Sequence, residues 1–215
     1  MGFFEILRGM SLSEQSFRSK KLWKARARLV LGLLPQGGRL LDVGCFVASQ
    51  TDSFLARADS TFGIENELKC CGEWSKHWAK RRSRIAIADA AALPFRGGVF
   101  SSVVMSEIME HMQDGGAALQ EALRVLEAGG TLVVTVPNRN RMNRRILRAL
   151  GMNPPTNPLH LHEYSMDEIT EKIKSHGFEV KKTTGCGFYW FNFVAAIFPR
   201  LAISVVVKAQ KPPES

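Results

Sequence analysis

The chain has 215 residues, of which 45% are hydrophobic and 23% charged. That fits one soluble globular domain with a substantial core and argues against two. A formal charge of +9 and a pI near 9.7 favour contact with anionic matter, nucleic acid or a membrane surface, without choosing between them. Cys45, Cys70, Cys71 and Cys186 lack paired metal-ligand spacing, so a reducing, cytoplasmic setting is expected. Met1 to Met10 contains Glu5 and Arg8 and has no sustained apolar run, unlike a secretory leader. Ile6 occupies the position where a myristoylation signal has Ser or Thr.

From about Ser13 to Leu34, Phe17, Leu22, Trp23, Ala27 and Val30 interleave at helical spacing with Arg18, Lys20, Lys21, Lys24, Arg26 and Arg28. The spacing predicts an amphipathic helix, ended by Pro35-Gln36-Gly37-Gly38. Its basic face is either solvated or turned to an anionic or membrane surface. Strands are predicted near Arg39 to Val43, Thr61 to Ile64, Arg84 to Ala88, Phe100 to Met105 and Thr131 to Val136, with helices between them. Such alternation implies a parallel sheet covered on both faces. Lys76 to Arg82 places cations at the end of the helix after Glu65, where the helix dipole accounts for them.

Asn138 to Glu163 breaks the pattern. Arg139, Arg141, Arg144, Arg145 and Arg148 suit a short basic helix, and Pro154, Pro155 and Pro158 then force an extended loop. Gly187 to Phe198 is apolar and aromatic, a candidate for core packing, a lipophilic pocket or a membrane-interface contact. Pro199 and Arg200 interrupt it before a strand over Leu201 to Val207, which disfavours a spanning helix.

The segment Leu40-Leu41-Asp42-Val43-Gly44 reads as a buried strand entering a glycine turn, and Gly63-Ile64-Glu65 ends the next strand with a carboxylate at ribose distance. After Gly44 the chain continues Cys45-Phe46-Val47-Ala48-Ser49, without the spaced glycines that bring backbone close to a pyrophosphate. A dinucleotide oxidoreductase is therefore disfavoured. An adenosine ligand without phosphates needs less of an anion cradle.

Leu41 to Cys45, with Thr51, Leu55 and Ala56, resemble the first motif of class I S-adenosylmethionine-dependent methyltransferases. Phe46 and Ala48 stand where that family has glycines. Ile87 to Phe95, Phe100 to Ser106, Glu110-His111, Leu119 to Arg124, Leu126 to Asn138, His162 to Ser165 and Gly177 to Val180 resemble the family's later segments in order. The resemblance implies an α/β, Rossmann-like, seven-stranded mostly parallel sheet of order 3-2-1-4-5-7-6, with helices on both faces and the last strand antiparallel. It also implies one methyltransferase domain over 1–215, with an N-terminal lid helix region at 1–36 and a substrate-covering insertion at 138–163. S-adenosylmethionine is the implied cofactor, held by Asp42, Gly44, Cys45, Glu65, Asp89, Ala90 and Ser106.

The run Glu107-Ile108-Met109-Glu110-His111 resembles the Glu-x-x-Glu-His of quinone-biosynthesis O-methyltransferases and of small-RNA 2′-O-methyltransferases. Three readings stay open for it. Glu107, Glu110 and His111, completed by His160 or His162, hold Mg or Mn over an acceptor hydroxyl; His111 alone is the catalytic base or a substrate contact; or the pair is structural. The leading expectation is O-methylation of a small or lipophilic acceptor, with peripheral membrane contact as a further expectation. The alternatives are an RNA methyltransferase with a basic surface and a methyltransferase-like binding protein whose cofactor site Phe46 weakens.

Overall fold

The computed structural model describes residues 17–45, 49–66, 83–154, 156–187 and 192–213. In chain order these form α1 (Phe17–Leu33), β1 (Arg39–Val43), α2 (Ser49–Ser53), β2 (Ser60–Glu65), β3 (Arg84–Ile87), β4 (Phe100–Ser106), α3 (Gly115–Val125), β5 (Leu126–Pro137), α4 (Met142–Ala149), α5 (Met166–Ser175), β6 (Glu179–Cys186), α6 (Asn192–Ile197) and β7 (Ser204–Gln210). The strands make one sheet of order β3-β2-β1-β4-β5-β7-β6. Pairing is parallel from β3 through to β5, and β7 runs antiparallel to both its neighbours. The Rossmann-like order implied by the sequence resemblance is thus the order observed.

The central strands are apolar at consecutive positions because both faces are covered. Leu41, Val43, Val103, Met105, Leu132, Val134, Val205 and Val207 pack with Leu119 and Ala122 of α3 and Ile169 and Ile173 of α5. Their alternates Leu40, Val104, Val133 and Val206 pack with Val30 and Leu33 of α1 and with Phe54. Each such side chain stabilises the fold by about 1.5–3 kcal/mol through burial. Helix α5 starts at a capping box in which Ser165 accepts from the Glu168 N–H and the Glu168 carboxylate accepts from the Ser165 N–H.

Several boundaries differ from the sequence expectation. Strand β5 begins at Leu126, because Gly129 and Gly130 bend within it and exchange backbone bonds with Lys211. Strand β7 begins at Ser204, because Pro199–Leu201 forms a 3-10 turn first. Between β1 and β2 the described residues hold a helix over Ser49–Ser53 that passes into a 3-10 turn at Phe54–Ala56. The insertion does contain the short basic helix, α4. Helix α1 packs on one face of the sheet through Val30 and Leu33, and its N-terminal half reaches the carboxyl ends of the strands, where Arg26 meets Glu107. There Leu22 fills the space that a Cβ on Gly187 would need. No described helix is long and apolar enough to cross a membrane.

Candidate active site

The order switch of the sheet falls between β1, which pairs with β2, and β4 on its other side; ligand crevices of open α/β sheets open at such a point. The turn after β1 is built around Asp42 and Gly44. Asp42 is 2% exposed and accepts a 2.6 Å bond from the Thr51 hydroxyl, which ties the strand to α2. Burial pushes its carboxyl up to about 7, the Thr51 bond partly offsets this, and the nearby charge of Glu65 adds to it. Gly44 has φ +75°, and a Cβ there would lie 2.2 Å from the Ile108 Cγ2. The glycine thus lets the loop after β4 seat against the turn after β1. Gly44 and Cys45 both donate their N–H to the Ile64 carbonyl. The Cys45 thiol is buried and is held protonated by that burial and by the charges of Asp42 and Glu65. The two departures from the family's glycines, Phe46 and Ala48, lie outside the described residues, as do Cys70, Cys71 and Lys76 to Arg82.

Glu65 ends β2, half-buried, and its carboxylate accepts from the Asn66 N–H at 2.9 Å. Register brings Ile87 beside it, and the Ala88 N–H bonds the Glu65 carbonyl. Asp89 therefore follows directly on the neighbouring strand. It is exposed and accepts from the Ala91 N–H at 2.9 Å, in a turn that buries Ala90. Two carboxylates thus stand at adjacent strand ends beside the glycine turn. This disposition fits an adenosine, with Glu65 toward ribose hydroxyls and Asp89 toward the base.

On the other side of the switch, Ser106 ends β4, and its hydroxyl lies 3.1 Å from the Thr135 hydroxyl on β5. Glu107 follows in the left-handed region at φ 57°, a conformation that costs a non-glycine residue about 1 kcal/mol or more and concentrates at functional sites. Its carboxylate accepts from the Thr135 hydroxyl at 3.0 Å and pairs with Arg26 of α1 at 3.2 Å. Sequence reasoning had not singled out Arg26 or Thr135, which reach Glu107 from distant parts of the chain.

Glu110 and His111 lie in a 3-10 turn, Met109–His111. The loop that closes the insertion is clasped onto this turn: Leu161 and His162 donate their N–H groups to the Glu110 carbonyl. The His111 Nδ1 is 3.0 Å from the Leu159 carbonyl oxygen. A carbonyl only accepts, so Nδ1 carries a proton and Nε2 is the ring nitrogen left to act as a lone-pair acceptor. The Glu110 side chain is 1% exposed, with its Oε1 3.9 Å from that Nε2. Burial, reinforced by the charge of Glu107, holds its carboxyl well above the ordinary range.

Of the four proposed metal ligands, Glu110 and His111 come together, and His160 joins them with all three donor atoms within 4.8 Å. Glu107 is instead engaged by Arg26 and Thr135, and the His162 ring packs 5.9 Å from Tyr164. The donor set suits Mg or Mn poorly, since these ions take mainly oxygen ligands. One carboxyl is present and it favours its neutral form. The Asn157 amide fixes its own orientation, because its Oδ1 accepts from Leu159 and its Nδ2 therefore donates to His160 Nε2 at 3.0 Å. The imidazole lone pair is thus already in use.

Two of the insertion's arginines are paired with carboxylates. Arg144, 3% exposed, pairs with Glu163, and Arg139 pairs with Glu168 at 2.6 Å. Asn138 stitches this region to the approach to β7, its amide donating to the Arg200 and Ala202 carbonyls at 3.0 and 2.9 Å.

A family profile described as a methyltransferase domain matches residues 41–134. A relative from Mycolicibacterium smegmatis named "Probable S-adenosylmethionine-dependent methyltransferase" is 30% identical over 151 residues, 69% of this chain and 55% of the relative. The chain therefore spans about half the length of that relative. The ubiquinone biosynthesis O-methyltransferase of Marinobacter nauticus is 24% identical over 160 residues, 69% of this chain and 67% of that one. A Thermotoga maritima structure described as a "SAM-dependent methyltransferase, possible histamine N-methyltransferase" superposes with a TM-score of 0.69 at 19% identity, covering 95% of this chain and 97% of its own; at that identity the likeness speaks for the fold. Taken with the strand order and the motif residues at the strand ends, these matches identify residues 41–134 as a methyltransferase domain of the class I S-adenosylmethionine-dependent kind.

Proposed function

We propose that this chain transfers a methyl group from S-adenosylmethionine to an oxygen of a small or lipophilic acceptor, with His111 taking the acceptor's proton. The observation that carries the proposal is the bond between His111 Nδ1 and the Leu159 carbonyl, which leaves Nε2 as a base at the end of the order-switch crevice. The cofactor, when bound, supplies an electrophilic methyl on a sulfonium. Glu65, Asp89 and the turn at Gly44 would hold its nucleoside. The rest of the reaction is positioning and proton removal, for which an imidazole held in place by a backbone carbonyl is suited.

A lipophilic acceptor is supported by Leu159 and Leu161, 70% and 58% exposed on the loop that clasps His111. Ile197 and Phe198, 63% and 55% exposed, precede β7 at the same end of the sheet; they support contact with a membrane surface that would present such an acceptor. RNA as acceptor is supported less, since Arg139 and Arg144 already serve internal carboxylates. The likeness to a ubiquinone biosynthesis O-methyltransferase also favours oxygen as the methylated atom.

Saturating S-adenosylhomocysteine should raise the unfolding temperature, and the absence of a shift would overturn the assignment. His111→Gln should keep that shift while lowering kcat by about 10²–10⁴-fold. Unchanged kcat across the pH range would remove His111 from the base role.

A further inference from the structure

Arg26, Glu107 and Glu110 form a polar group under the N-terminal half of α1, with side chains 13%, 21% and 1% exposed. Within it, two buried atoms have no hydrogen-bond partner among the described residues: Arg26 Nε, a donor, and Glu110 Oε2. Leaving such groups unmet costs about 1–3 kcal/mol each, and proteins retain that cost where a ligand later supplies the partner. The backbone strain at Glu107, φ 57°, falls in the same group. Glu107 and Glu110 follow the end of β4, Arg26 reaches Glu107 from α1 at 3.2 Å, and the Glu110 Oε1 lies 3.9 Å from the His111 Nε2.

We propose that this group is the acceptor seat of the transferase, and that it selects an uncharged hydroxyl over a carboxylate, a phosphate or an ammonium. The inference rests on the methyltransferase reading above and adds the class of acceptor to it. A hydroxyl oxygen carries two lone pairs, one for the Arg26 N–H and one for the proton of the neutral Glu110 carboxyl, and keeps its own proton for the His111 Nε2, so it matches both unmet atoms in kind. The charge balance points the same way. Arg26 and Glu107 are paired at 3.2 Å and sum to zero, while Glu110 is held in its neutral form by burial and by the charge of Glu107. An anion entering the seat finds no uncompensated cation, and burying it unpaired is costly. An ammonium finds no uncompensated carboxylate. Arg26 is in this scheme a specificity-determining residue, and Glu107 its counter-charge; Thr135, donating to Glu107 at 3.0 Å, keeps the pair in place.

The test uses the full chain saturated with S-adenosylhomocysteine and three fragment probes followed by fluorine NMR: 4-fluorophenol, 4-fluorobenzoate and 4-fluorobenzylamine. The wild type should broaden the phenol signal and not the other two. Glu107→Gln leaves Arg26 uncompensated and should move the preference toward benzoate by about tenfold; Arg26→Met leaves Glu107 uncompensated and should move it toward benzylamine by a similar factor. Equal or better binding of either charged probe by the wild type, or no phenol binding, overturns the proposal, as does a shift in the wrong direction in either variant. The stabilisation by S-adenosylhomocysteine is recorded on every protein. If it persists while the probe preferences fail, only the acceptor seat is wrong; if it is absent from the wild type, the methyltransferase reading fails and this inference with it.

Discussion

Replacing Asp42 by asparagine should stabilise the protein at alkaline pH and do so progressively as pH rises. Asp42 is fully enclosed, and its carboxyl is raised from 3.8 to about 7, chiefly by burial. The folded state therefore holds this proton more tightly than the unfolded chain, so the associated stability is complete below the unfolded value and is lost as pH rises through the folded one. At 1.36 kcal/mol per pH unit over about three units, the loss is about 4 kcal/mol by pH 8. Asparagine keeps the acceptor for the Thr51 hydroxyl and has no proton to lose. Any fixed difference in hydrogen bonding is the same at every pH, and the other carboxylates titrate in both proteins and cancel. Thermal melts of the two proteins at pH 4, 5.5, 7 and 8 are the assay. The Tm gap should widen in favour of Asp42→Asn by roughly 10 °C between the extremes. A gap independent of pH, or one that closes as pH rises, would refute the argument that the wild type carries a charge at this buried position at a cost in stability.

Gly44→Ala should destabilise by about 2–4 kcal/mol, through the positive φ and the contact of the new methyl with Ile108. Adding Ile108→Ala should return about 1 kcal/mol of that in denaturant titrations, and strict additivity would show that the two loops do not meet as described. Asn138→Ala should cost about 2–3 kcal/mol in the same assay because it strips donors from the Arg200 and Ala202 carbonyls; a loss below 0.5 kcal/mol would mean the stitch is dispensable. Methyl transfer should be insensitive to EDTA, since Glu107 is committed to Arg26 and His160 to Asn157; inactivation reversed by Mg or Mn would restore the metal reading.

The features legible in the sequence are those set by local order. Leu40 to Val43, Phe100 to Met105 and Thr131 to Val136 read as strands because each carries neighbouring apolar residues (Leu40-Leu41, Val103-Val104-Met105, Leu132-Val133-Val134), as a strand covered on both faces requires. Asp42, Gly44, Glu65 and Asp89 fall at strand ends by their place in the chain, and parallel pairing then gathers those ends on one edge of the sheet. Side-chain partnerships across the fold had no such signal. Arg26 looked like one more cation on an amphipathic helix until α1 docked against the sheet face and carried it to Glu107. His160 and His162 were equivalent as sequence, and the clasp of Leu159 to His162 onto the Glu110–His111 turn put the first beside His111 and the second against Tyr164. The arginines after Asn138 suggested a basic surface, whereas packing paired two of them with Glu163 and Glu168. Periodicity fixes which face of an element is apolar and where the element ends; which charge meets which depends on how whole elements cross, and that is decided only when the chain is folded.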